Sequence, residues 1–264
     1  MADYHFDDAA ADRAVEFIER FCTHVKGELG GQPFLLEKWQ KDDIIRPLFG
    51  WKKDDGTRRY RTCYVEIPRK NGKSNLSAAI ALYMLFADGE PGAEVISAAG
   101  DRGQANIVFN IAQEMINNSR HLRSRARVLR NVVQYKSSWY KSISAEAYTK
   151  HGLNCHAVIF DELHTQPNRD LWDVLTTLTG ARRQPLVMAL TTAGHDRASI
   201  CYEVHEYAKG VRDGVIDDDT FLPVLYAADI DDDWTDEATW RKANPGFGSI
   251  CHKDYFEQAV KNAK

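Results

Sequence analysis

The sequence lacks the features that mark disulfide-rich, zinc-binding, secreted or membrane proteins. Its five cysteines are scattered and none forms a C-x-x-C pair, so neither a disulfide framework nor a zinc ribbon is expected. No apolar run approaches the ~20 residues that span a bilayer. The acidic start, MADYHFDD, does not have the basic and then apolar pattern of a signal peptide. These absences predict a cytosolic globular protein.

Charge is unevenly distributed along a chain whose net charge is only −4. Five arginines lie in the stretch 120–130, RHLRSRARVLR, whereas residues 229–237 are strongly acidic. This polarity is compatible with one surface that faces DNA, and equally with a solvated charged face. Charge alone leaves both interpretations open.

Strand patterns alternate with helical patterns along most of the chain. The continuously apolar segment 155–160, CHAVIF, is typical of a strand buried on both faces of a parallel sheet, and the segment 74–86, SNLSAAIALYMLF, has a helical pattern. The alternation predicts a doubly wound, mostly parallel α/β sheet with helices on both faces. Residues 1–228 are expected to form this core, and residues 229–264 a small C-terminal subdomain of an acidic loop and two short helices.

A phosphate-binding loop is indicated at residues 67–74, IPRKNGKS, between a strand pattern and a helical pattern. Such a loop wraps backbone N–H groups around the β-phosphate, and the helix N-terminus adds its positive dipole end. Lys73 would reach the β- and γ-phosphates, and the Ser74 hydroxyl would ligate Mg²⁺. Because Ile67 replaces the usual glycine and G-K-S also occurs in basic surface turns, the strand–turn–helix context carries the prediction. The nucleotide-binding residues predicted here are Pro68, Arg69, Lys70, Asn71, Gly72, Lys73 and Ser74.

Two adjacent carboxylates follow the apolar strand pattern 157–160, AVIF. Asp161 would hold the metal, directly or through water, and Glu162 would orient and deprotonate the attacking water. Paired carboxylates after a strand usually face solvent. Their place after a phosphate-loop candidate makes them the predicted catalytic pair.

Two further elements indicate a nucleotide site only in combination with the motifs above. Thr191 and Thr192 end the next strand pattern, and their hydroxyls would lie near the γ-phosphate if that strand adjoins the other two; threonine is also simply a good strand former. Upstream, the Gln40 amide could pair with N6 and N7 of adenine and the Trp39 ring could pack against the base. A Trp-Gln pair is also typical of an ordinary helix face.

Taken in order, the motifs W-Q, R-K-N-G-K-S, V-I-F-D-E-L-H and L-T-T-A resemble the ATPase motor domain of tailed-phage terminase large subunits over about residues 30–250. The resemblance implies a RecA-like P-loop NTPase of the type with an additional strand and a catalytic glutamate. It implies that residues 229–264 form a lid and linker. It also implies that Arg69 replaces the glycine-rich opening of the common loop and acts in catalysis with Lys73 and Glu162.

Two more segments resemble the family. Residues 98–105, AAGDRGQA, correspond to a segment that lies towards DNA or the neighbouring subunit, and residues 240–248, WRKANPGFG, correspond to the entry into the lid.

The arginine that many terminases supply to the next subunit's active site is absent from its usual place, where Lys150 and His151 stand. Arg102 is the preferred alternative. The candidates for this trans-acting cation are Arg102, Lys150, Arg182 and Arg183.

The resemblance further implies ATP hydrolysis with Mg²⁺ that drives double-stranded viral DNA through the portal into a procapsid, with Thr191 and Thr192 in a coupling role. The implied partners are this DNA, the terminase small subunit, the portal protein and further copies of the chain in a pentameric ring, with no membrane. The implied location is the host-cell cytoplasm, at the portal vertex. No nuclease activity is expected of these 264 residues, because the family's acidic nuclease domain is not among them.

Three other functions share parts of the pattern. A helicase-like DNA-dependent ATPase, the main alternative, carries a similar D-E-x-H box but needs a second RecA-like core, for which 264 residues leave no room. A nucleotide-gated binding module would lack the catalytic carboxylate that Glu162 provides. A small-molecule kinase would lack the Thr-Thr and Asn-Pro elements.

Overall fold

Strands and helices alternate along the chain in the computed structural model, which describes residues 3–145 and 152–263. The strands are β1 (Tyr4–Phe6), β2 (Trp51–Lys53), β3 (Thr62–Glu66), β4 (Glu94–Ala99), β5 (Arg127–Leu129), β6 (Val132–Tyr135), β7 (Ser138–Ser144), β8 (Ala157–Asp161), β9 (Leu186–Thr191) and β10 (Phe221–Leu225). The helices are α1 (Asp8–Phe21), α2 (Arg46–Gly50), α3 (Lys73–Phe86), α4 (Arg102–Asn118), α5 (Arg120–Arg123), α6 (Asp170–Thr177), α7 (Ile200–Arg212), α8 (Glu237–Ala243) and α9 (Lys253–Ala263).

The main sheet of the described part has the strand order β10-β3-β9-β8-β4-β7-β6-β5. Strands β10 to β7 in this order are parallel, and β6 and β5 continue the edge antiparallel, so the predicted mostly parallel sheet is confirmed. Strand β9 lies between β3 and β8, pairing Glu66 with Thr191 and Asp161 with Leu190. The ends that carry the phosphate loop, the threonines and the carboxylates are therefore adjacent.

Helices cover both faces of the sheet, with an apolar cluster on each face. On one face, α1, α3 and α4 contribute side chains such as Ile18 and Phe109; on the other, α6 and α7 contribute Leu171 and Val204. Full burial of each such side chain is worth about 1.5–3 kcal/mol. No helix within residues 3–145 and 152–263 is long and apolar enough to cross a membrane.

Two elements near the N-terminus were not predicted from the sequence. Strands β1 and β2 form a small antiparallel sheet, and a π-helical stretch, Gln40–Ile45, runs directly into α2. The strands are too short, at three residues each, to show a clear alternation. The helical stretch matters for function because it fixes the position of Gln40.

The C-terminal residues contain the acidic loop and two helices that the sequence predicted. Helices α8 and α9 bury no residue, whereas Asn244 and Cys251 in the connection between them are buried. Lys242 pairs with Asp229 and Asp232, but these partly or fully exposed pairs each stabilise the fold by only ~0–1 kcal/mol. The connection thus supplies the buried contact of this region with the core.

Candidate active site

The predicted phosphate loop forms a tight turn between β3 and α3. The Ile67 N–H donates to the Thr191 carbonyl at 3.0 Å, and Lys70 and Gly72 have positive φ angles of 70° and 79°. Turns of this kind can direct successive backbone N–H groups towards one concave side, and α3 begins at Lys73 with its positive dipole end at the same place. The loop therefore has the geometry of an anion site.

Lys73 is buried at the centre of this loop. Its Nζ donates to the carbonyl oxygens of Ile67 and Pro68 at 3.3 and 3.4 Å, and lies 3.5 Å from Glu162 Oε1. Burial lowers the pKa of the Lys73 ammonium, and the charge of Glu162 opposes this. Arg69 is exposed at the rim of the loop. The ammonium is thus held where phosphate oxygens of a nucleotide would offset its desolvation.

Asp161 offers a carboxylate oxygen that fits a metal ion. The residue is only 3% exposed, and its Oδ1 has no hydrogen-bond partner among the described residues. Burial and the charge of Glu162 raise the pKa of Asp161 to about 7, while Lys73 and a hydrogen bond from Ser74 lower it. A buried, unpaired carboxylate oxygen beside a serine hydroxyl matches the oxygen ligands that Mg²⁺ prefers. Asp161 and Ser74 are therefore the residues that would hold the metal.

Glu162 is fixed at the mouth of the loop by the neighbouring strand. Its φ of 54° turns the chain sharply out of β8. Its Oε2 accepts a hydrogen bond from the Thr192 N–H at 3.1 Å and lies 3.3 Å from the Thr192 hydroxyl, while Oε1 faces Lys73. Non-glycine residues with positive φ are concentrated at functional sites. A carboxylate oriented in this way is placed to take a proton from water.

His164 belongs to the site but was not singled out from the sequence. Its Nδ1 lies 3.2 Å from Glu162 Oε2 and 3.1 Å from the Thr191 hydroxyl. Burial lowers the pKa of His164, and Glu162 opposes this. The sequence feature that could have indicated His164 is its position two residues after Glu162.

Of the predicted threonine pair, Thr192 contacts Glu162, whereas the Thr191 hydroxyl donates to the Thr192 carbonyl at 2.8 Å.

A cleft of about 550 Å³ lies beside the phosphate loop, between the segment 24–37, Gln40 and residues 249–252. Gln40 is only 1% exposed, and its Oε1 accepts a hydrogen bond from the Glu37 N–H at 3.0 Å. Its Nε2 has no partner in the part of the chain that the structure describes. A buried amide donor without a partner is costly unless a ligand satisfies it. Gln40 is therefore well placed to contact a base.

The predicted role of Trp39 in packing against the base is corrected by the structure. Trp39 does not line the cleft; its ring is buried and packs edge-to-face on Tyr226, with the ring centroids 5.6 Å apart. Consecutive residues of a helix point in different directions, about 100° apart in an α-helix. Gln40 consequently faces the cleft while Trp39 faces the core.

Arg182 and Arg183 lie away from the phosphate loop of their own subunit, and their trans-acting role stays a prediction. Both lie at the amino ends of the parallel strands, opposite the phosphate loop. Arg182 pairs with Glu90 and donates to the Asn154 carbonyl at 2.9 Å, and Arg183 donates to the Asp55 carbonyl at 2.9 Å. These arginines hold loops together at the far edge of the sheet.

Arg102 stands at the carboxyl edge of the sheet, at the exposed start of α4. Beside it, Gly100 packs so closely against Thr165 that a Cβ at this position would lie 2.3 Å from the Thr165 carbonyl oxygen. The Arg102 loop therefore abuts the turn that follows Glu162. Its trans-acting role stays a prediction, and the alternatives Lys150 and His151 lie outside the described residues.

Comparisons with known proteins agree with this geometry. Residues 38–210 match the family described as terminase large subunit, ATPase domain. The chain is 31% identical over 259 residues to the terminase large subunit of Enterobacteria phage HK97, covering 95% of this chain and 49% of that protein. It is 33% identical over 113 residues to protein YmfN of Escherichia coli strain K12, covering 43% of this chain and 25% of that protein. The crystal structure of the HK97 bacteriophage large terminase matches with a TM-score of 0.82 and 29% identity, over 96% of this chain and 51% of that chain. The chain thus spans about half the length of its HK97 relative.

Proposed function

Because the chain belongs to the family of terminase large subunit ATPase domains, we propose that it is the ATP-hydrolysing motor that moves double-stranded viral DNA through a portal into a procapsid. The observation that carries the proposal is the convergence of three groups at one edge of the sheet. These are the buried Lys73, the Asp161 carboxylate, whose Oδ1 has no partner among the described residues, and Glu162 held by Thr192.

Hydrolysis requires charge neutralisation on the phosphates and an oriented water. Lys73 supplies a positive charge inside the loop, and Asp161 with Ser74 would hold Mg²⁺, which neutralises phosphate charge when bound. A phosphate in the loop competes with Glu162 Oε1 for the Lys73 ammonium. Phosphate in the loop therefore releases Oε1 to accept a proton from water, while the Thr192 N–H keeps Oε2 in place.

DNA is expected to contact cationic side chains through its phosphates, nearly independently of sequence. Five arginines of the stretch 120–130 are exposed, and none forms an ion pair within the described residues. Arg102 is exposed as well, at the opposite end of α4. The DNA-facing interpretation of this stretch is thus favoured. A ring of copies, the small subunit, the portal and a location at the portal vertex in the host cytoplasm belong to the same proposal.

Phosphate release by the purified protein, with and without long double-stranded DNA, tests the motor function. We expect DNA to stimulate hydrolysis, and this stimulation to weaken as salt rises. Replacing Arg123 and Arg127 with glutamine should lower the salt dependence without changing hydrolysis in the absence of DNA. Hydrolysis that ignores DNA at every salt concentration would contradict the proposal.

Two further assays separate the motor from its main alternative. With procapsids, small subunit and portal, wild-type protein should make DNA resistant to added nuclease, and Lys73→Ala should not. A helicase-like ATPase would instead separate the strands of a forked duplex. Strand separation without DNA protection would favour that alternative.

A further inference from the structure

The cleft beside the phosphate loop has a second wall that comes from the C-terminal part of the chain. Ser249, Ile250 and His252 line it together with Gln40. The Ile250 side chain reaches the phosphate loop itself, since its Cδ1 lies 3.6 Å from the position that a Cβ on Gly72 would occupy. A planar base in the cleft would therefore have the amide of Gln40 and an aliphatic side chain within reach.

This wall is tied to the phosphate loop by one side chain. Asn71 is fully buried within the loop, and its amide nitrogen donates to Asn244 Oδ1 at 3.0 Å and to the Pro68 carbonyl at 3.1 Å. Its amide oxygen accepts a hydrogen bond from the Gly246 N–H at 3.1 Å. The donor and the acceptor of Asn71 are both engaged, partly by the loop and partly by the C-terminal segment.

The segment that Asn71 holds is itself a closed turn. The Ile250 and Cys251 N–H groups both donate to the Gly246 carbonyl, at 2.9 and 2.8 Å. The Cys251 thiol donates to the Lys70 carbonyl at 2.9 Å, which adds a second link to the phosphate loop. Because α8 and α9 on either side bury no residue, this turn sets the position of the C-terminal part on the core.

We propose that Ile250 is a base-contacting residue of the nucleotide site, and that Asn71 couples the phosphate loop to the docking of the C-terminal segment 244–251. The inference rests on the proposed ATP-binding function. A nucleotide whose base lies between Gln40 and Ile250, with its phosphates in the loop, bridges the core and the C-terminal part. By linkage, what strengthens the docking of this segment strengthens nucleotide binding, and the reverse holds equally.

The base contact is tested by comparing ATP with inorganic tripolyphosphate, which has no base, in calorimetric titrations. Ile250→Ala should weaken ATP binding about tenfold, because an apolar contact is lost from the pocket, and should leave tripolyphosphate binding unchanged. Ile230→Ala is the matched control, since Ile230 is 98% exposed in the same region. It should change neither affinity.

The other outcomes are distinguishable. Equal weakening of both ligands by Ile250→Ala would overturn the base contact, because the side chain would then act only on the phosphate loop. Unchanged ATP affinity would overturn it as well. Wild-type protein that binds neither ligand would instead refute the proposed ATP-binding function.

The coupling is tested by trypsin cleavage after Arg241 and Lys242, which are exposed beside the turn. ATP should slow this cleavage in the wild-type protein, and Asn244→Ala, which removes the acceptor for Asn71, should abolish the ATP-dependent protection. Asn262→Ala on α9 is the control and should retain it. Thermal melting of each variant checks that the core remains folded. Full ATP-dependent protection in folded Asn244→Ala would overturn the coupling.

Discussion

Replacing Glu162 with glutamine tests the catalytic assignment with little change in shape. The glutamine side-chain oxygen can still accept the hydrogen bond that the Thr192 N–H makes at 3.1 Å, and the backbone at φ 54° is unaltered. What is lost is the ability to take a proton, together with the ion pair to Lys73 at 3.5 Å. The variant therefore tests proton transfer while keeping the backbone and the Thr192 hydrogen bond in place.

ATP turnover of Glu162→Gln should fall ~10²- to 10⁴-fold, the effect of removing a positioned general base. This corresponds to about 3–5 kcal/mol of activation free energy at roughly 1.36 kcal/mol per tenfold. ATP binding should be retained, because Lys73 is then free to pair with phosphate. The free energy of unfolding should fall, because Lys73, whose side chain is only 6% exposed, loses its ionic partner.

Single-turnover phosphate release and calorimetric ATP titration measure the two quantities separately. Glu203→Gln is the matched control, because Glu203 is an exposed carboxylate on α7 away from the phosphate loop. It should leave both turnover and affinity unchanged. Turnover of Glu162→Gln at the wild-type rate would refute the assignment of Glu162 as the base.

Three further changes test other parts of the molecule. Gln40→Ala should reduce the preference for ATP over GTP about tenfold in binding assays, because the unpaired amide faces the base cleft; an unchanged ratio would leave Gln40 a helix residue only. Mixing Arg102→Ala subunits with Glu162→Gln subunits should restore part of the ATPase activity if Arg102 acts in trans, whereas no recovery, with normal turnover and weak DNA binding in Arg102→Ala alone, would assign Arg102 to DNA. Asp88→Asn should cost about 3–5 kcal/mol in urea unfolding at pH 7, because it removes the ionic partner of the buried Arg58. Burial raises the pKa of Asp88. The charge of Arg58 and the hydrogen bond with His156 outweigh this effect and hold the pKa of Asp88 below its usual value. The stabilisation by the charged Asp88 is therefore present above about pH 4 and lost as the pH falls through the folded pKa, and a gap between variant and wild type that stays constant down to pH 3 would contradict this.

The phosphate loop and the carboxylate pair could be located from the sequence because parallel strands end at a common edge. Residues that follow two such strands, as Lys73 and Asp161 do, are brought together whatever the intervening chain contains. The threonine pair depended on sheet order, which motif order alone does not fix. The structure supplied it by placing β9 between β3 and β8.

Simple geometry explains why three predicted site residues lie away from the phosphate loop. In a doubly wound sheet, a crossover helix returns the chain to the amino ends of the strands, so Arg182 and Arg183 after α6 had to lie opposite the phosphate loop. Trp39 was paired with Gln40 because the two are adjacent in sequence, although neighbours on a helix face different directions. Both placements follow from local geometry rather than from distant contacts.

The link between Asn71 and Asn244 could not be derived in this way. The two residues are 173 positions apart, and neither sits in a pattern that requires a partner. An asparagine in a phosphate loop is equally compatible with a solvated side chain. Only the folded arrangement of the C-terminal turn shows that its amide is buried and engaged.

The backbone contact between Gly100 and Thr165 has a mechanical consequence. The loop that carries Arg102 packs directly against the turn that follows Glu162, because a Cβ on Gly100 would lie only 2.3 Å from the Thr165 carbonyl oxygen. Flexible side chains absorb small displacements by changing rotamer, whereas two backbones in direct contact do not. A displacement that pushes the Arg102 loop towards Thr165 therefore meets backbone directly, with no Gly100 side chain to yield by changing rotamer.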